Sequence, residues 1–471
     1  MSAKITFHGG AGTVTGANFL LDTDSTHSTS SVQASSPQAG RKILIDCGIL
    51  QSGDGPAGEC DVINSAPFPY DVQDIDTLVV THAHADHIGR IPRLVRDGFR
   101  GAIHSTAATK DLAALMFGDA ISVMHEEAKR RGCDVLYEAS DVEKALPLWD
   151  THEYHEPFSI GDTSIDFLDA GHILGAAMAK FTRNGRTILF TGDLGNSPEP
   201  LLNDTESPEG ANYIIMESVY GDRLHEGREE RRERLRECVE KVRARKGVLL
   251  IPSFSLERTQ LLLFELNVMI EEGKLAAIPV YLDAPLAIQV TDVFRKYKHL
   301  LNPAAQKHFS SGKDPFSFES LKLTQDGEES RAIHAAPNPK IIIAGAGMSH
   351  GGRIRAHEKY YLGDKKAMIL FVGYQVPGSL GRRIQEGEKR VEIDGEHIRI
   401  YAERETLSGY SGHADREQLL TFVENAGEHL ERAFVTMGEP RSSSMLTQRL
   451  RDFLGVDAVV PTQGQTFTLD W

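Results

Sequence analysis

The sequence predicts an α/β fold of two or three units, and three observations predict it. Short β-branched apolar runs alternate with segments of helical pattern. The alternation pauses at one long charged segment and then begins again. At 471 residues, the chain exceeds one ordinary domain. No internal repeat is visible.

The elements follow in order. "KITFHGG" and "KILIDCG" read as strands ending in glycine turns. Between them, "DTDSTHSTSSVQASSPQAGR" is polar and serine-rich, which predicts a mobile surface loop. "IDTLVVT" predicts a buried strand, and "IGRIPRLVRDG" a helix closed by Gly98. "TSIDFLDAGHILGA", "RTILFTGDLG" and "ANYIIMESVYGDR" are further strands, the first two ending in polar clusters. "EGREERRERLRECVEKVRARKG" is a charged helix, and its charge run predicts a solvated face. From "GVLLIPSFSLERTQLLLFEL" to "KAMILFVGYQ" a second α/β unit runs. "ERAFVTMGEP" and "DAVVPTQGQTFTLDW" return to short strands.

Composition excludes some classes. Hydrophobic residues are 40% and charged residues 25%, a globular balance. No apolar run approaches the roughly 20 residues that cross a membrane. "MSAKITFHGG" has no apolar leader core, so a cytoplasmic location is expected. Cys47, Cys60, Cys133 and Cys238 are scattered, and free buried thiols are expected. The formal charge of −16 argues against non-specific nucleic-acid binding. A polyanionic substrate then needs local positive contacts, and bound cations can supply part of them.

The stretch "THAHADHIG" holds three histidines and an aspartate in residues 81–89. His82 and His84 are two apart at a strand end, so extended backbone points them the same way, towards one ion. Asp86 and His87 follow at a helix start and can turn towards a second ion. These ligand types suit Zn2+, Mn2+ or Fe2+. His172 in "DAGHILG" and Asp193 in "FTGDLG" each follow a strand and can complete the set.

On these residues the chain resembles metallo-β-lactamase-fold hydrolases of the β-CASP branch. That branch includes the endonuclease subunit of the cleavage and polyadenylation specificity factor, with its bacterial and archaeal relatives. The resemblance covers nearly the whole chain, apart from the serine-rich loop. It implies an αββα sandwich with an inserted α/β β-CASP domain. The expected boundaries are 1–208 and 402–471 for the sandwich, and 209–401 for the insert. It implies that His82, His84 and His172 bind a first zinc, Asp86 and His87 a second, and that Asp193 bridges them. A hydroxide between the ions then attacks phosphorus, oriented by Asp86. "FHGGAGTVTGANFLL" also matches the family, and its glycine spacing is not that of a nucleotide loop. Asp46 matches a family aspartate expected to hydrogen-bond a ligand histidine from behind.

The insert carries further matches. "ESVYGDRLH" resembles motif A, placing its acid at Glu217, and "SGYSGHAD" resembles motif B, placing its histidine at His413. That histidine is expected to protonate the leaving oxygen, with Glu217 polarising it. "PSFSLERTQ", "AGAGMSHGGR" and "GYQVPGSLGRR" resemble substrate-side loops. They offer Ser253, Ser255 and Arg258; Gly351, Gly352 and Arg353; and Gly378, Ser379, Arg382 and Arg383. Glycine turns at helix starts suit phosphates, though they are also ordinary α/β connections.

The pattern breaks at motif C. The usual histidine is replaced by Met437 in "VTMGEP". A thioether is a poor ligand beside oxygen and nitrogen donors, so a weaker second zinc, or Mn2+, is expected. The reading is a metal-dependent ribonuclease acting on single-stranded RNA, with no membrane contact and a homodimer compatible with the sequence. Three alternatives stay open: a DNA nuclease of the same fold, a catalytically weak RNA-binding relative, and a small-molecule hydrolase.

Overall fold

The computed structural model describes residues 2–23, 40–51, 62–310, 312–376 and 378–471. The serine-rich loop, expected to be mobile, lies outside the described residues. The chain opens with β1 (Ser2–Gly9), β2 (Asn18–Asp22), β3 (Lys42–Ile45), β4 (Thr77–Val79), β5 (Ala102–Ser105) and β6 (Trp149–Thr151). These pair in sequence order in one sheet. A second sheet follows from β7 (Phe158–Ile160), β8 (Thr163–Asp169), β9 (Ala177–Arg183), β10 (Arg186–Phe190) and β11 (Tyr213–Met216).

Alternation along the strands decides what the sheets face. Ala3, Ile5 and Phe7 on β1 point into one layer with Phe19, Ile43 and Ile45. The same layer takes Ile165, Phe167, Phe181, Ile188 and Phe190 from the second sheet. Leu44 and Leu78 point the other way, into an apolar layer shared with helices such as Ile91–Arg96 and Ala107–Arg131. β4 and β11 are buried on both faces, whereas the outer face of β1 at Ser2, Lys4 and Thr6 stays half-buried, and the two facing sheets with their helices form the αββα sandwich that the resemblance implied.

The insert is a six-stranded parallel sheet. Its strands are β12 (Val248–Pro252), β13 (Val280–Asp283), β14 (Leu321–Leu323), β15 (Lys340–Ala344), β16 (Met368–Phe371) and, after the hairpin β17 (Arg390–Ile393) and β18 (Glu396–Arg399), β19 (Glu403–Thr406). The spatial order is β14-β13-β15-β12-β16-β19. β12 and β15 are buried along their whole length, as continuous apolar runs demand. The chain then returns to the sandwich with β20 (Arg432–Val435) and β21 (Ala458–Val459) in the second sheet and β22 (Thr466–Asp470) beside β1. By strand membership the sandwich extends through Met216 and the insert through Thr406, a few residues past the boundaries expected at 208/209 and 401/402.

Two expectations change. Cys133 is disulfide-bonded, whereas Cys47 and Cys238 are free and buried. Four free thiols were expected because spacing along the chain does not report closeness in space; Cys60 lies outside the described residues. The charged helix, Arg228–Ala244, does not present its whole charge run to solvent. Arg231 is 2% exposed and sits in the stripe of Leu235, Cys238, Val239 and Val242. No helix among the described residues is long and apolar enough to cross a membrane.

Leu250 on β12 is fully buried among Ile342, Ile369 and Phe371. Leu250→Ala is expected to cost about 2–5 kcal/mol of stability, read as a lower urea midpoint by circular dichroism.

Candidate metal centre

The ligand-type side chains come from loops at one end of the sandwich. His82 to His87 follow β4, His172 follows β8, Asp193 follows β10 and Glu217 follows β11. The exit from the insert is sewn to the same place by bridges between Gly195 and His413 and between Tyr220 and Asp415.

His82, His84, His172 and Asp193 converge. His82 Nε2 and His84 Nδ1 are 3.1 Å apart, and His172 Nε2 and His84 Nδ1 are 3.2 Å apart. Asp193 Oδ2 lies 3.4 Å from His82 Nε2 and 3.6 Å from His172 Nε2. Ligands about 2.0–2.1 Å from a tetrahedral zinc lie roughly 3.4 Å from one another, so these four donors fit such an ion. Asp86, His87 and Asp193 form a second group. In it, His87 Nε2 lies 3.3 Å from Asp193 Oδ1 and 3.9 Å from Asp86 Oδ2. His87 Nε2 and Asp193 Oδ1 are buried without a hydrogen-bond partner among the described residues, a costly arrangement that a cation would relieve.

The surroundings orient these donors. Asp46 accepts from His87 Nδ1 at 2.7 Å and from the Thr81 backbone and hydroxyl at 2.8 Å each. This leaves His87 Nε2 facing Asp193. Asp46 takes a left-handed φ of 56°, a strained conformation held by these bonds. His172 Nδ1 donates to the Gly412 carbonyl at 2.9 Å, which frees the Nε2 lone pair. Gly48 packs so closely under Asp86 that a Cβ there would stand 1.5 Å from the Asp86 carbonyl oxygen.

His82, His84, His172 and Asp193 already have the charge states a cation needs, whereas a cation at the second group must displace a proton from His87. Burial, with neighbouring imidazoles, pulls His82, His84 and His172 below the usual histidine range, so they are neutral. Burial opposes charge on His87, but Asp193 and Asp46 outweigh it and hold His87 high. Burial also opposes charge on Asp193, which His87 and His82 nevertheless hold well below the carboxylate range. Burial pushes Asp86 up.

His413 and Glu217 sit beside this cluster. His413 Nδ1 donates to Glu217 Oε1 at 3.1 Å, and its ring lies 4.7 Å from that of His172. The same Glu217 oxygen accepts from the Leu194 backbone at 2.7 Å. Burial works against charge on His413, but Glu217 and Asp193 hold it up at about 9. His225, which the sequence reading passed over, donates from Nε2 to the His413 carbonyl at 3.1 Å.

Met437 does not supply a ligand-like donor. Its thioether lies against Gly10, and its side chain joins the apolar layer of Phe7, Phe19 and Phe434.

The substrate-side candidates separate by what already holds them. Ser379 caps the helix Leu380–Gln385, accepting from Arg382 N. Arg353 pairs with Asp283 at 2.6 Å, Arg382 with Glu386 at 2.6 Å, and Arg383 with Glu388 at 2.7 Å. Ser253 is buried and accepts from the Thr259 hydroxyl. Ser255 and Gly351 are half-buried, and Gly352 and Gly378 are exposed in left-handed turns. Arg258 differs from the other substrate-side candidates Arg353, Arg382 and Arg383. It is 7% exposed, yet its Nη1 has no hydrogen-bond partner among the described residues. Its Nη2 and the His172 ring flank Gly412, at 2.8 and 3.3 Å from where a Cβ would stand.

A sandwich with histidine and aspartate donors at its loop end, and a parallel α/β insert over them, defines a metal-dependent hydrolase. The comparisons agree. Residues 28–253 match the metallo-beta-lactamase superfamily, residues 259–384 the Beta-Casp domain, and residues 397–461 the Zn-dependent metallo-hydrolase RNA specificity domain. The chain belongs to the β-CASP family of metallo-β-lactamase-fold hydrolases. It is similar to Ribonuclease TTHA0252 of Thermus thermophilus, with 37% identity over 82% of this chain and 86% of that protein. It is also similar to transcription termination factor FttA of Methanosarcina mazei, with 30% identity over 91% of this chain and 68% of that protein. A crystallised Enterococcus faecalis protein of unknown function shares the fold over both full lengths, with a TM-score of 0.54 and 11% identity.

Gly48→Ala changes no ligand but displaces Asp86. It is expected to bind less cation than wild type, measured as metal per chain by atomic emission.

Proposed function

We propose that this chain is a ribonuclease that hydrolyses phosphodiester bonds of single-stranded RNA. The observation that carries the reading is the pairing of the cation donors with a histidine–glutamate dyad at the same loop end. His82, His84 and His172 are assigned to Zn2+, and Asp86 and His87 to a more weakly held cation that lacks a histidine at Met437. Asp193 is assigned to both. Divalent cations bound there supply an acidified water and offset charge on the phosphate.

The chain's own residues do the rest. Asp86 orients the attacking water. His413, kept protonated by Glu217, gives its proton to the leaving oxygen. Glu217 is itself held in place by the Leu194 amide. Arg258 supplies the local positive contact that an acidic chain needs for a polyanion, because its guanidinium has a buried donor to spare. Ser255 and the turns at Gly351, Gly352 and Gly378 line the path of the strand. The similarity to a protein named a ribonuclease and the match to an RNA specificity domain support an RNA substrate. Met437 keeps single-stranded DNA as the competitor to exclude.

Matched RNA and DNA single strands, incubated with the protein in Zn2+ or Mn2+, test this reading. RNA cleavage is expected, falling by about 100-fold or more in Asp86→Ala. Cleavage of DNA alone overturns the RNA assignment, and cleavage of neither overturns the nuclease assignment.

The dyad gives a pH dependence. The Glu217 carboxylate raises the His413 pKa, so Glu217→Gln lowers it. The acid form is then lost earlier as pH rises. The alkaline limb of the rate profile is expected to move down by about one to two pH units in Glu217→Gln.

A further inference from the structure

The sandwich has an open side where β6 ends the first sheet and β7 ends the second. Three ligand-type side chains meet there, none of them shared with the groups described above. His104 on β5 pairs in register with Asp150 on β6. His152 follows Asp150 by two residues, so near-extended backbone turns both to one side. His104 Nδ1 and His152 Nε2 are 2.9 Å apart, and Asp150 Oδ2 is 3.9 Å from His152 Nε2. All three donor atoms lie within 4.8 Å of one another.

The rings are held in place by the fold. The His152 amide donates to the Ser105 carbonyl at 3.0 Å, and the Trp149 indole to the Ser105 hydroxyl at 2.7 Å. Phe158 on β7 stacks on His152 with centroids 3.6 Å apart and planes 7° apart. It also stacks on His104, at 4.9 Å. Burial pulls His104 down to about 4 and lowers His152 as well, which favours neutral rings, each with one unprotonated nitrogen. The 2.9 Å spacing is shorter than the roughly 3.4 Å between ligands of a tetrahedral zinc and matches the roughly 3 Å between ligands at right angles on an ion of higher coordination number. Asp150 is 66% exposed, which gives an ion an entry path and the carboxylate freedom to close on it. The same convergence of imidazole nitrogens, at 3.1 and 3.2 Å, marks the catalytic donors.

We propose that His104, Asp150 and His152 form a cation site for a borderline divalent ion such as Zn2+, Co2+ or Ni2+. The site is separate from the catalytic donors, and it clamps β5, β6 and the approach to β7. Imidazole with one carboxylate selects this class over Mg2+ or Ca2+. The alternative is a plain hydrogen bond between the two rings, with Asp150 a solvated surface acid.

The test is zinc stoichiometry on metal-stripped and reloaded full-length protein, with circular dichroism to check the fold. His152→Gln is expected to bind one equivalent fewer than wild type while RNA cleavage stays unchanged. Asp86→Ala is expected to retain that equivalent, and the double variant to lose both. Equal stoichiometry and an equal zinc-dependent rise in Tm for His152→Gln and wild type overturn the proposal. Should His152→Gln misfold, Asp150→Asn at its exposed position gives the reading. About tenfold weaker binding of that one equivalent is expected, and unchanged affinity overturns the proposal.

Discussion

The structure depends on one buried charge. The Asp193 carboxylate is 3% exposed and lies within 4 Å of imidazole nitrogens from His82, His87, His172 and His413. Taking a carboxylate out of water costs several kcal/mol unless positive charge meets it. The loops must therefore bring cation ligands to it together. They manage this by packing backbone on backbone. A Cβ on Gly195 would stand 2.0 Å from the Gly171 carbonyl oxygen, so the loops bearing Asp193 and His172 approach too closely for a side chain. Gly192 adds a left-handed turn against Thr81, the residue before His82.

A second buried charge network holds the insert to this centre. Arg231 donates to Glu199 and to the Gly409 carbonyl, and Glu265 accepts from the Tyr410 hydroxyl. Gly409 and Tyr410 belong to the segment that leads to His413. A glutamate from the sandwich side, an arginine from the connecting helix and a glutamate from the insert thus fix one loop. Buried ion pairs contribute little net stability, but removing one partner strands the other, so they specify geometry. Arg258 stands next to this network with a donor unspent, which separates it from Arg353 and Arg382.

Much of the fold was legible in the sequence. The apolar runs and the strand-helix alternation carried the strands and a second α/β unit, while the αββα sandwich and the nature of the insert came from the family resemblance of the motifs. The cluster from His82 to His87 was legible because its residues are joined by one strand end and one helical turn. Arg231 was not, since a charge run reads as solvated. The signal that could have found it is its place, at helical spacing, in the stripe of Leu235, Cys238 and Val242. His104, Asp150 and His152 escaped notice because their closeness depends on β5 and β6 lying side by side. The cysteine reading failed at Cys133 for the same reason.

The sequence by itself determined the ligand types, their local spacing and the strand and helix patterns. Those follow from backbone periodicity, which acts over a few residues. Only the tertiary structure decided which loops share one end of the sandwich, because sheet order sets that over hundreds of residues. It also decided which donors are already spent. Ser379 and Arg258 look equally suited to a phosphate in the sequence. In the fold, Ser379 closes a helix start, while Arg258 keeps a buried nitrogen with no hydrogen-bond partner among the described residues.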